Sequence, residues 1–339
     1  MRIDLINPNG RDAPDDYTMG VPAPGAPGHP PVSYWGWPAA TGGRFHQRVE
    51  TVGSGADAAP DAVIVLLRWR GRENLRAVRL LKARGLRVFV SWKEAGSAQI
   101  EGQLNWFWRR RAMRAVLAAA DGALATTEPG LAHYREYGAR SVQFLPTPYP
   151  FDVPGWDFAL PAAQRAGIVV GTRQFEVPAR RHAEALSLTG AVARRAGCPV
   201  SVFNFDGVAG RQRVTAALGE VPALRWIEQR LPYPEYLREL ARHRLVIQRD
   251  AGWVPGQVAG DALLCGIVNI GGNGAVQRLA FPEYAEPEAG EAQLAEAAVR
   301  LLGDEAAYQS AAEAGREQAR RAGLSFAGVR EKLAAITGA

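Results

Sequence analysis

The stretch QRDAGWVPGQVAGDALLCGIVNIGGNG, residues 248–274, reads as the end of a strand, a glycine-bearing turn, a helix, a second strand and a second glycine turn. Apolar Leu245, Val246 and Ile247 close the first strand, and Gly252, Pro255 and Gly256 punctuate the turn. Residues 257–265 form a short helix that stops at Gly266, and residues 267–270 form the next strand, opening onto Gly271, Gly272 and Gly274. A strand running through glycines into a helix N-terminus presents backbone N–H groups and the positive end of the helix dipole to an anion, a common way of holding phosphate. Asp261 lies one turn into that helix, where a carboxylate can accept two hydroxyl hydrogen bonds from a ribose. A buried βαβ unit with a capping glycine satisfies the same pattern, so the rest of the chain has to decide.

Outward from this stretch, strands and helices alternate. Before it come strands at 168–171, 200–205 and 224–227, with helices at 181–196, 214–218 and 234–242. Helical patterns follow at 292–302, 305–321 and 326–336. A similar alternation occupies the first half, with strands at 2–7, 62–69, 87–92, 123–127 and 142–146 and helices at 74–83, 103–120 and 131–137. Strands alternating with helices predict parallel sheets covered on both faces. Residues 146–161 carry five prolines and little periodicity, so they read as a linker. The expected division is an N-terminal Rossmann-like domain at 1–150, a linker at 151–165, a second Rossmann-like domain at 166–322 and a C-terminal helix at 323–339 packing back on the first. Residues 11–60, rich in Gly and Pro and carrying Tyr34, Trp35, Trp37 and Phe45, read as a binding surface or mobile loop more than as core.

A length of 339 residues accommodates two domains with their own cores, and 47% hydrophobic with 22% charged residues excludes a disordered or fibrous chain. The net charge of +6, carried mostly by arginine, suits an acidic ligand, an anionic membrane or nucleic acid. Cys198 and Cys265 lie in apolar segments and read as core residues of a reducing compartment. The opening MRIDLIN is strand-like, with no visible signal peptide, and no apolar run reaches the ~20 residues of a membrane span. A cytoplasmic protein is expected, with the inner face of the membrane as a variant of that location.

Arg173 follows a strand in GTRQFEVPARR, residues 171–181, and Arg180 and Arg181 stand where the next helix begins. Guanidiniums converging there can clamp a diphosphate; solvated surface arginines are the bland alternative. In the first half, Lys93 and Glu94 follow a strand end and can contact sugar or acceptor. Glu94 can also act as general base in an inverting reaction, or belong to a solvated charge pair. Gly10 sits in the Pro8-Asn9-Gly10 turn after the first strand, Trp35 in the aromatic cluster and His46 beside Gly42-Gly43. These three are the other acceptor-side candidates. The remaining histidines lack metal-ligand spacing, so no metal site is expected. QLNWFWRRRAMR, residues 103–114, joins Trp106, Phe107 and Trp108 to Arg109, Arg110, Arg111 and Arg114. On a helix these residues either pack their aromatic side on the sheet, meet an anionic membrane or lipid-linked acceptor, or contact nucleic acid.

Strand-GTR with its basic helix start, WIEQRLPYPEYLRELARHRLVIQRD and GQVAGDALLCGIVNIGG resemble the donor domain of GT-B glycosyltransferases, most of all the retaining family 4 group. DGALATTEPGLAHYREYGARSVQFLPTPYPFD is similar to the segment that ends that family's acceptor domain, and FPEYAEP and FAGVREKL fit its C-terminal part. The resemblance covers about residues 62–339. It implies an α/β GT-B fold, two Rossmann-like domains facing each other across a cleft. It also implies sugar transfer from a nucleotide-diphospho-sugar to a hydroxyl of a glycan or lipid-linked glycan, with retention and without a metal or other cofactor. By the same resemblance Arg173 with Arg180 or Arg181 holds the donor diphosphate, and Val254, Pro255, Gly256 and Gln257 form the turn against phosphate and sugar. Leu231, with Pro232, flanks the nucleobase, and Asp261 takes the place of the glutamate that binds ribose. The companion acid of the family falls on Trp253, and Asp250 is the substitute within reach in sequence. Two other readings remain: a glycosyltransferase acting on bases in DNA, and a non-catalytic nucleotide-sugar-binding partner subunit.

Overall fold

The run AVIVLL is buried along its whole length, as a strand must be when helices cover both faces of its sheet. The computed structural model describes residues 1–8, 10, 12–53, 59–171 and 174–338. It divides into two compact units, the first made of Met1–Val153, Trp253–Pro255 and Gly323–Ala339, the second of Pro154–Gly252 and Gly256–Ala322.

The strands of the first unit are β1 (Ile3–Ile6), β2 (Asp15–Asp16), β3 (Arg44–His46), β4 (Ala62–Leu67), β5 (Val88–Trp92), β6 (Gly122–Ala125) and β7 (Val142–Phe144). They lie in the order β2-β3-β1-β4-β5-β6-β7, parallel except for the short β2 against β3. Its helices are α1 (Gly36–Thr41), α2 (Gly71–Ala83), α3 (Ser97–Gln103), α4 (Phe107–Ala119) and α5 (Glu128–Glu136), joined by the last helix of the chain, Phe326–Thr337. Side chains alternate across β4. Val63, Val65 and Leu67 pack with Val78 and Leu81 of α2 and Val116 of α4, while Ile64 and Leu66 pack with Trp37 of α1 and Phe326, Val329 and Leu333 of the last helix. The first turn of that last helix is tied down by Asp152, whose carboxylate accepts from Phe326 N and Ala327 N at 3.0 Å each, and by Ser325 as its N-cap.

The second unit is a five-stranded parallel sheet of β8 (Ile168–Val170), β9 (Val200–Phe203), β10 (Leu224–Ile227), β11 (Leu245–Ile247) and β12 (Val268–Ile270), ordered β10-β9-β8-β11-β12. Its helices are α6 (His182–Ala196), α7 (Gly207–Leu218), α8 (Tyr233–Leu240), α9 (Gln257–Cys265), α10 (Ala275–Ala280), α11 (Glu291–Gly303) and α12 (Glu305–Arg321), so that the last helix, Phe326–Thr337, is α13.

Two expectations are corrected. Residues 11–60 are not merely a surface loop: they supply β3, which pairs with β1, and α1, which packs on α13, and their aromatic cluster is core. These elements are three to six residues long, shorter than the window in which periodicity is readable. The helix expected over 103–120 begins only at Phe107, and a separate helix, α3, ends at Gln103. The break is stabilised by α4 itself, since Arg110 Nε donates to Leu104 O at 2.8 Å and Arg109 Nη1 to Gln103 O at 3.4 Å, satisfying carbonyls that end α3. Finally, FPEYAEP is preceded by a helix, α10, that its six-residue length hid from sequence periodicity.

Candidate functional site

In the second sheet the strand order reverses between β8 and β11, so their carboxyl ends feed loops that diverge toward opposite faces, the place where open α/β sheets bind ligands. Gly171 ends β8. A Cβ there would lie 2.8 Å from both Val246 Cγ2 and Val258 Cγ1, so glycine is what lets α9 close against the strand. Arg173 lies outside the described residues.

Arg180 ends the 3-10 turn Pro178–Arg180 and donates through Nη1 to Asp250 Oδ2. Asp250, 1% exposed, also accepts from Gly252 N at 2.8 Å, while its carbonyl accepts from Asn273 N at 2.8 Å. The loops after β8 and β11 are further joined by Ala251 N donating to Ala179 O at 2.7 Å. Asp250 is therefore not an open substitute for the sugar-binding acid: a buried carboxylate needs compensation, and here it is engaged in aiming Arg180. Trp253 adopts φ +48°, a left-handed conformation that costs a non-glycine residue about 1 kcal/mol or more.

Arg181, at φ +45°, is the N-cap position of α6 and offers no side-chain cap to it; its guanidinium lies 3.6 Å from Glu184 and 3.8 Å from Glu286. Behind it, buried Arg249 binds Glu286 at 2.8 Å and Glu291 at 2.6 Å, and the second oxygen of Glu286 accepts from Gly272 N at 3.2 Å. His182, the next residue, is depressed to about 4 by burial and by Arg213, so it adds no positive charge at neutral pH.

The N-terminus of α9 also has no side-chain cap and, unlike α6 with Glu184, no acid in its first turn. Its N-cap Gly256 adopts φ +95°, and a Cβ there would collide with Gln277 Oε1. Among the described residues that Gln277 oxygen, buried beside the turn, has no donor, which makes it an acceptor suited to a ligand hydroxyl. Gln277 is not legible in the sequence; the one usable signal is the glycine run Gly271-Gly272-Gly274, which leads into the short helix α10. Gln257 is exposed, and Val254 and Pro255 are half-buried.

Asp261 is not the open ribose-binding carboxylate expected from the resemblance. It is 2% exposed and accepts from the Tyr233 hydroxyl at 2.6 Å, with Tyr236 as a second partner. The reason is packing: α8 sets its two tyrosines against the buried face of α9. A ribose hydroxyl reaches this acid only by displacing Tyr233. Burial pushes Asp261 up to about 7, against the pull of the two tyrosines. A carboxyl whose folded pKa is raised contributes stability that is fully present below its unfolded pKa and is lost as pH rises through the folded value. Asp261→Asn, which stays neutral, is therefore expected to gain stability relative to the native protein between pH 5 and 8, by up to roughly 3 kcal/mol for the two or so pKa units between pH 5 and the folded value. Urea unfolding of the pair at pH 5 and pH 8 measures this; a difference independent of pH would refute it.

Leu231 is half-buried ahead of α8. An aromatic row stands nearby at the ends of β9 and β10: Tyr233 and Tyr236 have centroids 6.0 Å apart, Phe203 lies 5.6 Å from Tyr236, and Arg230 sits 5.6 Å over the Phe205 ring.

In the first unit the order reverses between β1 and β4, and Asn7, Arg68 and Lys93 follow the carboxyl ends of β1, β4 and β5. Asp12 collects them, binding Lys93 Nζ and accepting from Asn7 Nδ2 at 2.7 Å. Burial raises the Asp12 pKa, but Lys93, Asn7 and Arg68 outweigh it and hold the carboxyl below its ordinary value. Gly10 closes the turn, its N–H donating to Asn7 O at 3.1 Å. Glu94 is held by Arg68 at 3.2 Å. Gly10, Lys93, Glu94 and Asp12 thus meet around one sheet end.

Trp35 and His46 do not belong to an open acceptor surface. Trp35 is core, stacked between His29 at 3.6 Å and Phe45 at 5.2 Å, with Lys93 4.9 Å over its ring. His46 is buried between Asp4, at 2.8 Å from Nε2, and Thr51, at 3.0 Å from Nδ1, because β3 and β1 lie side by side. The aromatic residues of α4 do the reverse: Trp106, Phe107 and Trp108 face solvent instead of packing on the sheet. Among the described residues no group of three His, Cys, Asp or Glu side chains is placed to hold a metal ion, and no helix is long and apolar enough to cross a membrane.

No protein-family model and no curated protein sequence matches the chain. Solved structures do. The structure of Anabaena HepE in complex with UDP covers 100% of this chain and 100% of its own at 10% identity, with a TM-score of 0.62. The UDP-forming α,α-trehalose-phosphate synthase of Burkholderia vietnamiensis covers 81% of this chain and 73% of its own at 12% identity, with a TM-score of 0.53. A variant of S. aureus TarM, solved with fondaparinux, α-GlcNAc-glycerol and UDP, covers 82% of this chain and 56% of its own at 10% identity, with a TM-score of 0.59. The chain is similar to these GT-B glycosyltransferases in fold, an α/β arrangement of two parallel sheets.

Proposed function

We propose that the protein is a glycosyltransferase that moves a sugar from a nucleotide-diphospho-sugar to a hydroxyl of a glycan or lipid-linked glycan, with retention. The observation that carries this reading is the β8–β11 switch point, where Arg180 is aimed by buried Asp250 beside the side-chain-uncapped N-termini of α6 and α9. Two helix N-termini and an oriented guanidinium form a site for a diphosphate. Arg173, Arg180 and Arg181 take the leaving diphosphate, Val254 to Gln257 the phosphate and sugar, Gln277 a sugar hydroxyl, and Leu231 with the aromatic row the base. The ribose lies at Asp261 after Tyr233 yields. Gly10, Lys93 and Glu94 line the acceptor side.

In the step itself the acceptor oxygen bonds to the anomeric carbon as the bond from that carbon to the diphosphate oxygen breaks. The acceptor proton passes to the departing phosphate. Charge develops on the diphosphate, and preorganised arginines and helix dipoles stabilise it without a metal. The motifs that resemble family 4 enzymes support retention, and the UDP seen in HepE and TarM makes a uridine donor the first to test.

A thermal-shift screen of UDP-, GDP-, ADP-, CMP- and dTDP-sugars tests the donor. One base series is expected to raise the melting temperature with concentration, gaining about 2.7 kcal/mol at a hundred times Kd. No shift with any of them, up to millimolar concentration, would remove the reading.

A further inference from the structure

We propose that the start of α4, with Trp69 and Arg70 ahead of α2, docks the first unit on an anionic lipid surface. Trp106 and Trp108 are each 51% exposed and Phe107 is 74% exposed, an arrangement that leaves a cluster of large apolar rings in water. The rings stack on one another, Trp106 on Trp108 at 4.8 Å and Phe107 edge-on to Trp108 at 5.0 Å. Trp69, 51% exposed, extends the patch, with Arg70 5.1 Å and Arg109 5.7 Å from its ring centre. The patch is mounted on packed structure: Met113, Val116 and Leu117 of α4 are buried with Val78 and Leu81 of α2.

Charge complementarity selects the occupant. Arg110, Arg111 and Arg114 are exposed on the same helix, and among the described residues none of the four arginines of the run, Arg109 included, is paired with a carboxylate. Their positive charge is left for anions outside the chain. Tryptophan rings with flanking arginines suit the headgroup layer of a bilayer, where the ring meets the acyl boundary and the guanidinium the phosphate. Single-strand nucleic-acid sites use rings in a groove, each offering a face to one base. Here Trp106 and Trp108 occupy each other's faces, and side chains this exposed do not line a groove.

Co-sedimentation of the full chain with vesicles tests it. Binding is expected to vesicles of phosphatidylcholine with phosphatidylglycerol, to weaken on removal of the phosphatidylglycerol or addition of salt, and to quench tryptophan fluorescence when the acyl chains are brominated. Trp106→Ala/Phe107→Ala/Trp108→Ala is expected to lose the binding with an unchanged melting temperature. Arg111→Gln and Arg114→Gln are each expected to weaken partition about fivefold. Absence of vesicle binding, or variants that bind like the native protein, overturns the proposal. So does tighter binding to single-stranded DNA than to vesicles, or a native dimer that the aromatic triple variant dissociates.

Discussion

Arg180→Ala is expected to lower the rate of sugar transfer about a hundred- to a thousandfold, the usual cost of removing one preorganised group that meets developing charge. The structure explains why this arginine is preorganised: Asp250, buried and already accepting from Gly252 N, binds its Nη1. The same pairing complicates the single variant, because a buried carboxylate left without its partner also destabilises the fold. The double variant Arg180→Ala/Asp250→Asn separates the two effects. Asparagine can still accept from Gly252 N but carries no charge, so stability is expected to return while transfer stays low. Arg180→Lys keeps the charge and loses the planar fork, and is expected to fall between. Native transfer rates in the double variant would exclude Arg180 from the site.

Arg249→Met is expected to destabilise the second unit by about 3–5 kcal/mol, the cost of removing one partner from a buried ion pair. Arg249 stands between Glu286 and Glu291, and Glu286 in turn receives Gly272 N, in the turn after β12. Burial alone would lower the Arg249 pKa; the two glutamates reverse that and raise it. Without the guanidinium, Glu286 keeps only the Gly272 amide and the more distant Arg181, 3.8 Å away. Replacing Glu286 as well, by glutamine, is expected to recover most of the loss, since methionine fills the volume and no bare charge remains. In thermal unfolding the single variant should fall by roughly 6–20 °C for a unit of this size. A fall of a degree or two would mean the cluster is solvated and carries little of the stability.

The alternation of strands and helices was readable because parallel strands buried on both faces are runs such as AVIVLL and LVI, bounded by glycine and proline. The helix of residues 257–265 and its glycine turn were readable for the same local reason: Gly256 and Gly266 stand at its two ends in left-handed conformations that glycine adopts freely. The short elements of residues 11–60 were not, and neither was the break ahead of α4, which depends on arginines of α4 capping carbonyls before it.

Local pattern is enough to specify two α/β halves and the candidate phosphate turn, because the period of apolar residues and the positions of glycine act over a few neighbours. Which polar groups are free to meet a ligand was decided only by tertiary structure. Arg180 finds Asp250 across 70 residues, His46 finds Asp4 across 42 and Asp261 finds Tyr233 across 28. In each pair burial makes the hydrogen bond compulsory, and sheet order or helix packing supplies the partner. The outward turn of Trp106, Phe107 and Trp108 has the same origin, since the face of α4 that meets α2 is taken by Met113, Val116 and Leu117.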